Sequence, residues 1–203
     1  MNTTIKNTDK NEYFQTENIT REAFWNLYAP GCTEHLVLHQ LRESNSYIKE
    51  LDFIAVSEKQ VIGHILSTKA CVIDNQNHKH EVLCVGPFSV LPEFQGQGIG
   101  SQLINFSILR AKEMEFSGII LFGNPDYYHR FGFRNAQEFN ITTKDFQNFE
   151  PFMALEICKK GLNKISGRFF EDEAFFTKDE DLISFEKQFP FKEKGKAKVN
   201  INH

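Results

Sequence analysis

"VLPEFQGQGIGSQLI", Val90 to Ile104, sets three glycines at alternate positions, Gly96, Gly98 and Gly100, and runs straight into an apolar periodic segment. Ile99, Leu103, Phe106 and Leu109 recur at i, i+4, i+7 and i+10, one face of an amphipathic helix over Ile99 to Phe116. Glycines let a backbone approach an anion closely, and a helix start adds unpaired N–H groups and the positive end of the dipole. The turn reads as a phosphate cradle, with a plain strand-to-helix turn as the alternative. A nucleotide P-loop needs a lysine after its last glycine, and Gly100 is followed by Ser101. A dinucleotide fingerprint needs G-x-G-x-x-G, and the spacing here is G-x-G-x-G. With both standard owners excluded, a pyrophosphate on some other carrier is the ligand that best matches such a string of donors.

Upstream, "EVLCVGPFSVL", Glu81 to Leu91, is β-prone, and Pro87 inside it predicts a bulge because proline donates nothing to a ladder. Downstream, "GIILFG", Gly118 to Gly123, is a short apolar strand of the kind buried in a sheet centre. Strand, helix and strand from Val82 to Phe122 make a βαβ unit with parallel pairing and a right-handed crossover. Farther out, a hairpin joins Phe53–Val56 to Val61–Ser67 through the polar turn Ser57–Gln60, and Asn75–His80 is a second polar turn. Helices are predicted over Phe14–Leu27 and Thr33–Ser44, with Thr33 as N-cap, separated by "APGC". A short helix over Asp126–Phe131, strands at Phe139–Thr142 and Phe152–Ile157, and a helix opening on a Thr177/Glu180 capping box and ending before Pro190 complete the pattern. This divides the chain into residues 1–12, a flexible tail or short edge strand near Ile5; a domain over 13–160; and an extension over 161–203 with one helix packed on the same domain and a charged, partly mobile end.

The 203 residues suit one domain, and 40% apolar residues supply a sizeable core. The 21 phenylalanines read as core filling. A formal charge of −4 leaves no basic excess for nucleic acid. Cys32, Cys71, Cys84 and Cys158 form no CxxC pair, so no zinc or redox motif is written, and a reducing cytoplasm is the expected setting. No metal is expected. The N-terminal residues lack the apolar run of a signal peptide, and no stretch approaches the ~18 apolar residues of a membrane span.

The glycine stretch resembles the central motif of the GNAT superfamily of acyl-CoA-dependent N-acetyltransferases, [QR]-x-x-G-x-[GA], matched by Gln95, Gly98 and Gly100. A second family element, Tyr-x-x-[Phe/Leu]-Gly-Phe, is matched by Tyr128, Phe131, Gly132 and Phe133. "GCTEHLVLHQLR", "LDFIAV", "VIGHI" and "QFPFKEK" extend the likeness to a YhbS-like branch, over Thr20 to Lys194. The resemblance implies a mixed α/β (α+β) fold: a mostly antiparallel twisted sheet with one splayed parallel pair and flanking helices. It implies acetyl-CoA as acyl donor and a primary amine, on a small molecule or a protein, as acceptor, with direct attack in a ternary complex. A non-catalytic acyl-CoA sensor of the same fold is the alternative.

By the same resemblance, Phe88, Ser89 and Val90 line the pantetheine arm, and a backbone N–H of Phe88 or Val90 faces the thioester oxygen. Gln95, Gly96, Gln97, Gly98, Ile99, Gly100 and Ser101 form the pyrophosphate turn, with Gly96 extra to the motif. Asn124 would touch the cofactor arm, although its gap to Tyr128 is shorter than usual in the family. Tyr128 would be the general acid, a phenol of pKa ~10 facing a thiolate, with Tyr127 as its neighbouring alternative. The base is open: some relatives carry a carboxylate where Cys84 stands here, Glu81 falls on the opposite strand face, and His64 lies in the hairpin. Glu34 and His35 occupy the region that builds acceptor sites, and a chain of waters would also serve. Glu22, Glu34 and Glu43 suit a cationic acceptor, and the segment from Gly161 either covers the acceptor groove or mediates a homodimer.

Overall fold

A computed structural model of the chain describes residues 2–159 and 161–199. The first strand, β1 (Thr4–Asn7), is the sheet edge and pairs antiparallel with β2 (Asp52–Ser57). Between them lie the two helices α1 (Tyr13–Phe24) and α2 (Glu34–Glu43). β2 turns into β3 (Gln60–Ile73) through Glu58 and Lys59, both at positive φ (49° and 69°). This is the two-residue hairpin geometry usually given to Asn-Gly; here two charged residues adopt it, so only its polarity was visible in the sequence.

β4 (Lys79–Val90) pairs antiparallel with β3, and the register slips between Ile65 and Ser67, so that Leu66 faces both Gly86 and Pro87. That is the bulge Pro87 predicts. α3 (Ile99–Glu113) then crosses over to β5 (Gly118–Phe122), which runs parallel to β4 as expected. The parallel pair is short: only Leu83 and Cys84 pair, with Ile119 and Ile120, before the strands separate. α4 (Pro125–Tyr128), β6 (Arg134–Asn135), β7 (Ile141–Thr143), β8 (Phe152–Glu156) and β9 (Gly167–Phe170) follow, and the order across the sheet is β1-β2-β3-β4-β5-β8-β6. β9 pairs with the far end of β3 and runs parallel to β7. α5 (Asp179–Glu186) closes the order.

α3 covers one face of the sheet and α1 with α2 the other. The face of α3 differs from the sequence expectation. Ile99, Leu103, Ile104, Ser107 and Ala111 are buried, whereas Phe106 is 38% and Leu109 55% exposed. The cause is close approach: small residues face the sheet, and a Cβ on Gly63 beneath would sit 3.0 Å from Leu103. Phe106 instead meets Phe53 edge-on, at 5.0 Å between ring centroids.

Thr33 stands at the N-cap of α2 as expected but makes no side-chain capping bond, and the Thr177/Glu180 box does not form. The Glu34 carboxylate instead accepts the Thr33 N–H at 2.9 Å. α5 starts at Asp179 after Lys178 and gains its acidic first turn, Asp179 to Asp181, in place of the Thr177/Glu180 box. The charged end is docked as far as Val199: Lys198 and Val199 donate to the Asn26 and Leu27 carbonyls, both at 2.9 Å. Residues 200–203 of the expected mobile end lie outside the described residues.

Candidate active site

The parting of β4 from β5 determines what the cleft offers. The Leu91 N–H donates to the Ile62 carbonyl at 2.9 Å, so in the alternating antiparallel ladder Ser89 and Leu91 turn their main-chain groups to β3. Phe88 and Val90 therefore turn theirs the other way, into the space β5 vacates. The Val90 carbonyl there accepts from Gln95 Nε2 at 3.0 Å, which leaves a short free strand edge running toward the glycine turn.

At that turn Gly96 (φ 73°) and Gly98 (φ 82°) are left-handed, and a Cβ on either would meet nothing within 4 Å. Conformation, not crowding, demands glycine there, and the turn faces open space. Gly96, absent from the sequence motif, is thus as necessary as Gly98. Gly100 is different: a Cβ there would fall 2.5 Å from the Tyr127 hydroxyl and 3.1 Å from Phe88.

A cavity of about 570 Å³ lies over this turn, lined by Phe88, Ser89, Val90, Gln95, Gly96, Gly98, Ile99, Gly100 and Ser101, with Tyr127 and Arg130 opposite. The Ser89 hydroxyl lies 3.1 Å from that of Thr20 on α1, so main chain is what Ser89 offers the cleft. Gln97 does not line the cavity; its side chain donates to the Glu93 carbonyl at 3.0 Å. Arg130 was not singled out in the sequence. Its signal was a lone cation, two residues after Tyr128, on the turn that follows α4; its guanidinium stands 5.0 Å from the centre of the Tyr127 ring.

A second cavity of about 580 Å³ adjoins the first and shares Phe88 and Tyr127 with it. It occupies the wedge between the strands, from Cys84 to Phe88 on β4 and from Leu121, at the end of β5, to Asn124 just past it. Tyr28, Glu34, Tyr128 and Glu171 also line it. Asn124 caps α4, its Oδ1 accepting the Asp126 N–H at 2.9 Å, so only its amide nitrogen is free to turn to the wedge. Burial pushes the Tyr128 phenol above its ordinary range, with Tyr127 and Tyr28 adding to it. Tyr127 is also raised by burial, against a hydrogen bond from Ser101. Burial likewise raises the Glu34 carboxyl.

His35 is not brought to the cleft. It is 0% exposed, packed on Phe185 and Phe189, with Nε2 2.7 Å from Glu186 Oε1, and burial lowers it to about 4. α2 turns Glu34 one way and His35, one residue on, about 100° around the axis toward α5. His64 is equally withdrawn, buried 2.9 Å from Asp52. Cys84 is buried and its thiol is raised by burial, so no thiolate base stands there.

The family model for the acetyltransferase (GNAT) domain matches residues 49–135, from the approach to β2 through the tyrosines to β6. That match marks an acetyltransferase (GNAT) domain over less than half of the chain. An uncharacterized N-acetyltransferase of Escherichia coli K12, YjhQ, is 28% identical over 127 residues, 62% of this chain and 66% of YjhQ, so the chain spans just under two thirds of the length of this relative. YhbS from the same strain, also an uncharacterized N-acetyltransferase, is 24% identical over 135 residues, 66% of this chain and 78% of YhbS. The crystal structure of E. coli YhbS in complex with CoA superposes with a TM-score of 0.76 at 22% identity, covering 85% of this chain and 91% of that one. A Brucella melitensis GNAT acetyltransferase in complex with acetyl-CoA gives 0.71 at 23% identity, over 86% and 99%. At these identities the superpositions establish the GNAT fold: a mixed sheet with flanking helices. Among the described residues, no helix is long and apolar enough to cross a membrane.

Proposed function

We propose that this chain transfers the acetyl group of acetyl-CoA to a primary amine within a ternary complex. The observation that carries the reading is the free edge of β4, Phe88 to Val90, leading from the wedge to the open left-handed turn at Gly96 and Gly98. The bound CoA complexes of the two structural neighbours favour the same donor. When bound, acetyl-CoA supplies a thioester whose carbonyl carbon is the electrophile.

In this reading the main chain of Gly96 to Ser101, with Gln95 beside it, holds the pyrophosphate, and Arg130 brings the only cation among the described residues lining that cavity. Phe88 and Val90 pair with the amide groups of the arm, and one of their N–H groups polarises the carbonyl oxygen. Asn124 steadies the arm from the opposite lip. The amine enters the second cavity, whose lining among the described residues holds Glu34 and Glu171 and no basic residue, so the two cavities differ in sign as an anionic donor and a cationic acceptor require.

Glu34, its carboxyl raised by burial, takes a proton from the bound ammonium, directly or through water, and so frees the amine that attacks. The nitrogen lone pair of the resulting free amine forms the new C–N bond, the C–S bond breaks, and Tyr128 gives its proton to the leaving sulfur. Glu34 releases the first proton to solvent, and the second proton lost by the nitrogen passes through water to restore the Tyr128 phenol. Its raised pKa keeps the phenol protonated over the working range.

The test is CoA thiol release with acetyl-CoA and a panel of amines, in the wild type and in Tyr128→Phe. The variant is expected to keep its affinity for acetyl-CoA and to lose about 10²-fold in kcat. Unchanged turnover would remove Tyr128 from the chemistry. Acetyl-CoA binding with no acetylation of any amine would make the chain a sensor.

A further inference from the structure

The second cavity says more about its acceptor than that it is an amine. Glu34 is the first residue of α2, at the side where Tyr28 and Thr33 complete the wall. Glu171 follows β9, and its charge is felt by the Cys84 thiol at the base of the wedge, where Cys84 still pairs with Ile120. The two carboxylates thus belong to different elements and have different neighbours within one cavity. Among the described residues, neither has a Lys, Arg or His nitrogen within salt-bridge distance, whereas Glu17, Glu22, Asp52 and Glu186 all do. Two half-buried carboxylates with no cation beside them leave an unneutralised negative field in the cavity that a ligand cation would offset.

The wall between them is apolar and aromatic. Phe24, Val37, Leu121, Phe122, Phe175 and Phe176 line it. Such a wall accepts methylenes and, through ring faces, ammonium groups. It offers little to a hydroxyl-rich acceptor, which would lose water there without replacement.

We infer that the acceptor is a diamine or polyamine: two ammonium centres joined by an apolar spacer, one held for reaction at the thioester and the other fixed at the second carboxylate. The inference rests on the acetyltransferase reading above and narrows its acceptor. A monoamine leaves one carboxylate bare, and an amino acid brings its own carboxylate against them.

The experiment compares diaminobutane and diaminohexane with butylamine, hexylamine and aminobutanoate, using the full chain and acetyl-CoA. A diamine should exceed the monoamine of equal length by about tenfold or more in kcat/KM, the worth of one charge-assisted contact. Aminobutanoate should be the poorest substrate. Glu171→Gln should bring the ratio of diamine to monoamine down toward one. Calorimetry of the same amines on the CoA complex reads the cavity without the chemistry and should show the same order. Preference for a monoamine or for aminobutanoate, or equal binding of diamine and monoamine, would overturn the inference while leaving amine acetylation intact. Diamines that bind tighter but are never acetylated would uphold the cavity's selectivity and sink the enzyme reading instead.

Discussion

Gly98 and Gly100 stand two residues apart and are required for different reasons. Gly98 caps α3 at φ 82° with nothing near its absent Cβ, so an alanine there would strain the backbone without meeting a neighbour. Left-handed backbone at an L-residue costs roughly 1–2 kcal/mol. Gly100 has an ordinary helical position and yields its side-chain space to Tyr127 and Phe88. Gly98→Ala should therefore lower stability modestly and weaken CoA strongly, because the methyl group projects into the open face of the turn. Gly100→Ala should push Tyr127 aside and disturb the junction of the two cavities. Calorimetric CoA affinity set beside thermal melting separates these effects. If Gly98→Ala bound CoA as tightly as the wild type, the turn would not be the phosphate cradle.

At the scale of elements, the strap from Lys192 to Val199 controls the loop that follows α1. Asn26 sits at φ 56°, and its Oδ1 accepts the N–H groups of Gly31 (2.7 Å) and Gly195 (3.0 Å). Trp25 Nε1 donates to the Glu193 carbonyl, and Lys192 pairs with Glu22. This loop leads to Tyr28, Thr33 and Glu34 in the wall of the second cavity. Asn26→Gly keeps the left-handed conformation and removes only the side-chain acceptor. It should cost about 1–3 kcal/mol of stability. It should also raise KM for the amine while leaving CoA affinity alone; an equal effect on both substrates would make the strap a general brace. The strap was invisible in the sequence because its partners lie about 170 residues away and several of its bonds run through main-chain groups, which carry no residue signature. β6 and β9 escaped for a related reason: two and four residues cannot display a period, and their pairing is wholly non-local. The βαβ unit, the Pro87 bulge and the glycine turn were legible because each is written within a few consecutive residues. Tyr128 and Glu34 could be named from the sequence, but the cavity that joins them to Glu171 needed the fold.

Across the whole molecule, buried ionic groups tie the helical layer to the sheet. Asp52 on β2 accepts from Arg42 (3.0 Å) and Tyr47 (3.0 Å) and lies 2.9 Å from His64 on β3. Arg21 on α1 grips Glu186 on α5 at 2.8 Å, beside His35. Burial presses the Asp52 carboxyl upward, but His64 and Arg42 outweigh it and hold it below the usual range. Glu186, pushed up by burial, is likewise held low by Arg21. The two histidines move down, His35 to about 4, chiefly by burial. A histidine lowered by folding is protonated first in the unfolded chain, so acid favours unfolding from about pH 6.5 down to the folded value. The depressed carboxylates extend the loss below their unfolded pKa values. His39 runs the other way: raised mainly by its bond to Glu17, it adds stability below its unfolded pKa, as does the burial-raised Glu34. Comparing one variant with the wild type isolates a single group. Between pH 6.5 and 4, the value to which burial lowers it, His35 should contribute a slope of up to about 1.4 kcal/mol per pH unit. His35→Gln, which cannot titrate, should be less stable at pH 7 but lose less on acidification when urea unfolding is followed across this window. Parallel curves for the two proteins would mean that His35 takes up its proton in the folded state as readily as in the unfolded chain, and that its buried place against Phe185 and Phe189 carries no electrostatic consequence.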